Sequence, residues 1–409
     1  MKKILLTILS LFLLTGCFSF REKSNSRPAI TIDTDYLSGD ASYLYYYQSL
    51  SSKEKEIYEN IYNCILDNAK KVTISSNDYE LVQKINDYVL YDHPEIYYLD
   101  YFELQNQVDI CNYIPSYSYS KSERDTLTAQ LESVRDELVN SISSESSDYD
   151  KLKKIYQFVI EKCRYVDNAK DNQYITSSLI YGETVCSGYV KAIQYLAEAV
   201  GIKSAYIVGK EIGASDDEAY HAWNLIYLDD DYYYLDATWG DYDSEGNIFA
   251  MMNYFMFDSD DMLKLYEPLD QYEITKQGNY TYFKYENLYN ENYNKAALNK
   301  MVKQYKHDNI AWMEFKFSDS CYQEAKKRLI DQEEMFDLFN PYTSKQYTVQ
   351  YFYYDNLNVL IFNQKIESAV RHDSLLSLKI REFFTNFHEN FLVIGNLIPY
   401  FTKSLIIYK

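Results

Sequence analysis

The chain has 409 residues, 47% apolar and 25% charged, with only 11 glycines and 6 prolines, which excludes a collagen-like or low-complexity disordered chain and leaves length for two or three domains. Forty lysines and arginines face 61 acidic residues, a formal charge of −21 with no segregated basic patch, so a phosphate backbone would be repelled and nucleic acid is not an expected partner. Tyrosine, at 47 residues, is over-represented, and compositional bias is the reading placed ahead of a sugar- or peptide-binding surface.

In chain order, Lys2 and Lys3 precede an apolar run over 4–14, too short to span a bilayer, and the pattern reads as a signal peptide over 1–16. Leu14-Thr15-Gly16-Cys17 resembles the bacterial lipobox. That resemblance implies a mature chain beginning at lipid-modified Cys17, a tether over 17–39, and a protein held to the outside of the bacterial cell membrane by its lipid.

Residues 40–120 read as a helical N-terminal domain. Apolar spacing predicts a helix around 45–70, with Tyr58, Ile61, Tyr62 and Ile65 on one face, and a second over 78–91 carrying Leu81, Val82, Ile85 and Val89. Asp92-His93-Pro94-Glu95 breaks the second helix, and 96–104 reads as a strand. A third amphipathic helix over 121–140 is followed by a Ser-rich acidic stretch, 141–150, read as a linker or long loop, and by a helix over 151–163. From Thr184, which can cap, a helix runs to 200 on Tyr189, Ala192, Ile193, Leu196 and Val200, and Gly201 ends it. Strands follow at 204–209, 219–228 and 232–238, the last two joined by a tight acidic turn at 229–231. These elements group as a central domain over 121–270. Residues 275–373 read as a small α+β accessory domain with helices over 295–305 and 322–338, a strand over 310–317, and a hairpin of 346–354 with 357–362. The stretch 374–409 is a C-terminal extension whose apolar part is interrupted by Gly395, Asn396 and Pro399, so it is no membrane span.

Six cysteines are present. With Cys17 lipidated five remain, an odd number, so at least one thiol is expected to be free. Cys64 and Cys163 fall among periodic isoleucines and valines and read as small buried hydrophobes; the pairing of Cys64, Cys111, Cys163 and Cys321 stays open. No cysteine or histidine has metal-ligand spacing, and no metal or cofactor is expected.

Cys186 is different, because it occupies the first turn of the 184–200 helix, where unpaired N–H groups and the positive end of the dipole make a sulfur more nucleophilic. Gly188, lacking a side chain, would let a substrate or a neighbouring strand approach it. Alone, such a cysteine is more often structural, so its partners matter. His221 begins the strand His221-Ala222-Trp223-Asn224, and Asp236 closes the next strand. If the intervening turn holds an even number of residues, Asp236 falls opposite Trp223, on the face of His221 and diagonal to it; an odd-length turn would send it to the other face. A nucleophile, a base and a group orienting the base is the set that activates a weak nucleophile at neutral pH.

Thr184-Val185-Cys186-Ser187-Gly188-Tyr189, His221-Ala222-Trp223-Asn224 and Tyr234-Leu235-Asp236-Ala237-Thr238-Trp239 resemble the three ordered motifs of the transglutaminase-like superfamily of papain-type cysteine enzymes. The resemblance covers about 150–260, extends to the leader around Asp92-His93-Pro94-Glu95, and leaves the C-terminal domain uncovered. It implies an α+β fold, with a papain/transglutaminase-like core in which a helix carrying Cys packs on an antiparallel sheet carrying His and Asp. It also implies roles: Cys186 attacks an amide carbonyl, His221 is base and then acid, Asp236 fixes the His221 tautomer, and a thioester forms. The Cys186 N–H is one expected oxyanion donor, the segment 172–178 supplies the other, and Trp223 and Trp239 wall the cleft or pack in the core. Protein or cell-wall peptide is the expected substrate; the acceptor, water or amine, is open. The alternative is a non-catalytic binding or adhesion lipoprotein of the same fold.

Overall fold

In the computed structural model the described residues are 43–214, 220–244, 247–339, 347–366 and 407–408. The expected signal segment over 1–16, Cys17, the expected tether over 17–39 and all but two residues of the 374–409 stretch lie outside them. The fold is α+β. Among the described residues no helix is long and apolar enough to cross a membrane.

The leader comprises α1 (Tyr45–Ser49), α2 (Ser52–Leu66), β1 (Val72–Ile74), α3 (Tyr79–Asp92), β2 (Leu99–Asn106) and β3 (Cys111–Tyr117). Ser51 and Glu54 form a reciprocal capping box that starts α2, and Asp78 caps α3. The leader was expected to be helical with one strand, and it is instead mixed, with a three-stranded sheet in the order β1-β3-β2. Asn112, Pro115 and Ser116 disguise β3 in the sequence. Pro115 is tolerated because β1 pairs only with residues 111–113, so beyond them one edge of β3 needs no N–H donor. Ile57, Ile61, Ile65, Val82, Ile85 and Val89 are fully buried in the leader core, with Cys64 and Cys111 among them.

The second region begins with α4 (Lys121–Ser141) and α5 (Asp148–Lys162), the latter capped by Ser147. The expected linker over 141–150 therefore shrinks to six residues, since Ser141 still belongs to α4 and the Ser147 side chain accepts the Asp150 N–H. A short parallel pair, β4 (Arg164–Tyr165) and β5 (Glu183–Thr184), leads into α6 (Cys186–Ala199). Then come β6 (Lys203–Glu211), β7 (Tyr220–Leu228), β8 (Asp231–Leu235), the single turn α7 (Ala237–Gly240), the hairpin β9 (Asp241–Ser244) and β10 (Asn247–Ala250), α8 (Ser259–Leu265) and β11 (Tyr266–Pro268). The central sheet is antiparallel in the order β11-β6-β7-β8, and α6 lies across β6 and β7.

The third region holds α9 (Tyr282–Tyr285), β12 (Tyr289–Asn290), α10 (Lys295–His307), β13 (Trp312–Phe317), α11 (Tyr322–Lys326), α12 (Met335–Phe339), β14 (Tyr347–Tyr354), β15 (Val359–Ile366) and β16 (Ile407–Tyr408). Its sheet order is β12-β13-β15-β14-β16. The single helix expected over 322–338 is broken by a wide turn at 327–331 and by Glu333, whose φ of 58° no helix accommodates. One apolar core runs from Tyr97 through α5, α6 and the central sheet to Phe362 in β15. Glu314 of β13 pins this region to the central one, accepting the Met252 and Asn253 N–H groups at 2.7 Å each.

Several contacts tie leader to core, among them a hydrogen bond from Tyr174 Oη to the Leu99 carbonyl at 2.5 Å and one between Tyr88 and Asp270. Tyr46 Oη donates to the Tyr206 carbonyl at 2.7 Å, Tyr91 stacks on Tyr206, and Gln194 of α6 reaches the Asp92 carbonyl at 3.5 Å. Asp92 in turn holds α1 by accepting the Tyr46 and Tyr47 N–H groups.

Candidate active site

Cys186 is the first residue of α6, so its N–H has no acceptor within the helix and faces the positive end of the dipole. Thr184, expected to cap, does not. The N-cap position is Val185, without a side-chain bond, and Thr184 Oγ1 is engaged by the Asn172 carbonyl (3.1 Å) and Ser177 Oγ (2.5 Å). Thr184 sits one residue too early, in β5. The segment expected to furnish a second oxyanion donor does abut this helix end: Ser187 Oγ donates to the Gln173 carbonyl at 2.9 Å, and Val185 N to that of Asn172 at 3.4 Å.

Gly188 serves the second of its two expected purposes, the approach of a neighbouring strand: a Cβ there would lie 1.8 Å from Thr184 Oγ1 of β5 and 2.8 Å from Ser177 Oγ, so the missing side chain lets β5 and the segment before it pack on α6. Of the five cysteines among the described residues none is paired. Cys186 is partly exposed, whereas Cys64, Cys111, Cys163 and Cys321 are buried, and burial pushes the Cys64 and Cys163 thiols up to about 12.

The condition on the turn is met. Asp229 and Asp230 both take positive φ, 50° and 60°, making a two-residue turn whose twist suits a hairpin. Leu228 then pairs with Asp231 and Asn224 with Leu235, which places Asp236 on the face of His221. Strand β8 stops at Leu235, three residues short of the expected end, because Asp236 turns the chain: its Oδ1 accepts the Thr238 and Trp239 N–H groups at 2.9 and 3.1 Å. Its Oδ2 lies 2.7 Å from His221 Nε2 and accepts the Tyr266 hydroxyl at 2.5 Å. All four acceptor contacts are thus used on a residue 1% exposed. Burial alone would push the His221 imidazole down. The Asp236 carboxylate, by charge and hydrogen bond, and the Cys186 sulfur overcome that, and the ring is held well above its ordinary 6.5. With Nε2 occupied by Asp236, the nitrogen left for the sulfur is Nδ1.

Two residues at this site carry no motif signal. Glu211, at the end of β6, places Oε1 3.5 Å from His221 Nδ1 and accepts Trp239 Nε1–H at 2.8 Å. Burial raises its carboxyl, while His221 and the Trp239 N–H pull it part of the way back. Tyr266, in β11, is its pairing partner across the sheet. Both arrive through the β11–β6 edge, which only tertiary pairing reveals. Of the two tryptophans, Trp239 is half-buried and stands at the site through Glu211. Trp223 is fully enclosed and stacks on Tyr266 at 4.4 Å behind the imidazole, which makes it core packing instead of a cleft wall. Asn224 binds α6 to the sheet by donating to the Val190 carbonyl at 3.0 Å.

The site thus brings together a sulfur at a helix start, an imidazole and a carboxylate on adjoining elements. Residues 136–237 match the family model of the transglutaminase-like superfamily, and this part of the chain is a transglutaminase-like domain. A mouse (Mus musculus) protein, Kyphoscoliosis peptidase, is 25% identical over 135 residues, 30% of this chain and 20% of its own, so the match spans about a fifth of that relative. Among solved structures, a TGase aligns over 41% of this chain and 50% of its own at 15% identity, with a TM-score of 0.24. A candidate cysteine protease from Cytophaga hutchinsonii aligns over 34% of this chain and 62% of its own at 12% identity, with a TM-score of 0.24.

Proposed function

We propose that this protein is a cysteine acyl-transfer enzyme acting on amide bonds, a peptidase, amidase or transglutaminase, with Cys186, His221 and Asp236 as its triad. The observation that carries the reading is the 2.7 Å contact of His221 Nε2 with Asp236, which leaves Nδ1 for the sulfur at the start of α6. In the first half-reaction Cys186 Sγ attacks the amide carbonyl while Nδ1 takes the thiol proton. The same proton passes to the departing amine as the C–N bond breaks, leaving a thioester. In the second half-reaction water or an amine attacks the thioester, gives its proton to Nδ1, and the thiol is restored as the product leaves. The Cys186 N–H, unused by the helix, supports one donor to the oxyanion, and the adjoining 172–178 segment is the source of the other. Asp236 keeps the proton on Nε2 so that Nδ1 is the acceptor.

The lipobox-like Cys17 supports a lipid anchor and action outside the cell membrane, where stem peptides of the wall and surface proteins offer amide substrates. The test uses the burial of the other four thiols among the described residues. Iodoacetamide at pH 6 should label Cys186 of the folded chain first, and His221→Ala should slow this labelling by about 10²-fold or more. Incubation with wall peptides or denatured protein should then give a Cys186 acyl adduct by mass. Labelling of ordinary rate, unchanged by His221→Ala, and no adduct would favour the binding or adhesion lipoprotein.

A further inference from the structure

Asp236 and Glu211 flank one imidazole, and among the described residues neither carboxylate pairs with a lysine or arginine, so a protonated His221 is the cation that both of them face. The other groups around the ring are the Cys186 sulfur from the start of α6 and the Tyr266 hydroxyl from β11, with the Tyr156 and Tyr254 phenols also near Asp236. An imidazolium held this firmly suits a thiolate but is a poor acid, and the reaction proposed above requires its Nδ1 proton to pass to the departing amine.

Tyr266 is placed to temper that hold. Its hydroxyl donates at 2.5 Å to Asp236 Oδ2, the same oxygen that lies 2.7 Å from His221 Nε2, so two donors share the charge of one oxygen. The carboxylate does not need this bond to keep its direction, because Oδ1 is already fixed by the Thr238 and Trp239 N–H groups of its own turn. Burial, and then the Asp236 charge, push the Tyr266 hydroxyl well above its ordinary 10, so it stays a donor.

Several features fix this placement. The Tyr266 ring is 2% exposed, stacks on Trp223 at 4.4 Å with 19° between the planes, and lies 5.4 Å from the imidazole. Strand β11 closes on β6 with Tyr266 opposite Glu211 and Pro268 opposite Gly209, which on its other side pairs with His221. A Cβ on Gly209 would lie 2.4 Å from Trp223 Cη2 and 2.5 Å from the Glu267 carbonyl oxygen, so the missing side chain lets the tryptophan and the β11 backbone close together there. Tyr266 itself lies beyond the transglutaminase-like match, which ends at residue 237.

We propose that Tyr266 is a positioning residue acting through Asp236: by taking part of the Oδ2 charge, its hydroxyl weakens the grip on the imidazolium and keeps the Nδ1 proton transferable to the leaving amine. Its part in turnover rests on the reading of Cys186 as nucleophile; its effect on the imidazole does not.

The titration of His221 in the full chain carrying Cys186→Ala, where the sulfur's charge is gone, tests the effect by itself. The ring signals of His221 in NMR spectra are identified by their loss on a further His221→Gln change. Tyr266→Phe keeps the ring and removes the hydroxyl, and should raise the titration midpoint by about half to one pH unit. An ortho-fluorinated tyrosine placed at this position, a more acidic phenol and a stronger donor, should lower the midpoint while keeping the packing. Tyr113→Phe, which removes a likewise buried hydroxyl from Asn86 in the leader core, should leave it unmoved. A midpoint unmoved or lowered by Tyr266→Phe in a chain that keeps its near-UV circular dichroism, or unmoved by the fluorinated residue, would overturn the proposal. With Cys186 in place, amide turnover at neutral pH should fall about tenfold in Tyr266→Phe, while iodoacetamide labelling, which has no leaving amine to protonate, changes less. A shifted titration with no acyl transfer in any chain would keep the role of Tyr266 and sink the nucleophile; acyl transfer with an unmoved titration would do the reverse.

Discussion

Replacing Asp236 by Asn removes one charge and almost no volume, and the contacts of the carboxylate set the outcome. Oδ1 serves two backbone N–H groups and Oδ2 serves His221 Nε2 and the Tyr266 hydroxyl. An amide has one acceptor oxygen, so if that oxygen keeps the Thr238 and Trp239 N–H groups, its NH2 meets two donors. His221 must then give up its Nε2 proton and carry it on Nδ1, the position that has to receive the thiol proton. Loss of that base should slow alkylation of Cys186 at pH 6, and any amide turnover, by about 10²–10⁴-fold. Breaking a fully buried charge pair should also cost about 3 kcal/mol of stability. That cost depends on pH in a defined direction. The His221 imidazole is held above its unfolded value, so its contribution is fully present below about pH 6.5 and is lost as pH rises through the folded value. Urea melts should therefore show the largest gap between wild type and variant below about pH 6.5, narrowing as pH rises above it. Intact-mass alkylation rates from pH 5 to 9 provide the kinetic half. A variant that labels at the wild-type rate with the same profile would refute the assignment of Asp236 as the group that sets the tautomer.

Other substitutions probe the surroundings. Glu211→Gln removes a second carboxylate 3.5 Å from Nδ1, so the imidazolium that keeps the Cys186 sulfur ionised is held less well and the pH at which labelling rises should move up; an unmoved rise would mean that Glu211 is only a brace for Trp239. Gly188→Ala puts a Cβ 1.8 Å from Thr184 Oγ1 and 2.9 Å from its Cβ, and should cost about 1–3 kcal/mol in a thermal or urea melt by forcing apart the turn that sets Cys186. Glu314, fully buried, has its carboxyl raised from 4.5 to about 8 by burial, against the pull of the Met252 and Asn253 N–H groups. Because the unfolded chain ionises first, wild-type stability should fall as pH rises from about 4.5 through 8, and Glu314→Gln should flatten that stretch of the curve.

Local pattern announced the elements that need no distant partner. The Tyr58, Ile61, Ile65 face of α2, the Asp78 start of α3, the long α4 and the 186–199 helix follow from periodicity and capping chemistry, while hairpin arithmetic gave the condition, an even-length turn, on which a shared face for His221 and Asp236 depends. It failed where local signals were weak or misleading. β3 hid behind Pro115, tolerated only because its neighbour is short. Thr184 looked like a cap until Asn172 and Ser177 claimed its hydroxyl, and the 322–338 helix broke at a residue that carries neither proline nor glycine.

Chain order and residue type alone determined the composition class, the α+β alternation and three stretches bearing a thiol, an imidazole and a carboxylate, because each is a property of neighbours a few positions apart. Only the tertiary structure decided that Glu211 and Tyr266 flank the same imidazole and carboxylate, that Trp223 is enclosed, and that Tyr91 of the leader stacks on Tyr206 of the central sheet. Those facts depend on strand β11 pairing with β6 and on the leader docking through Tyr46 and Tyr91, and such long-range contacts are chosen by the burial they achieve together, which no window along the chain contains.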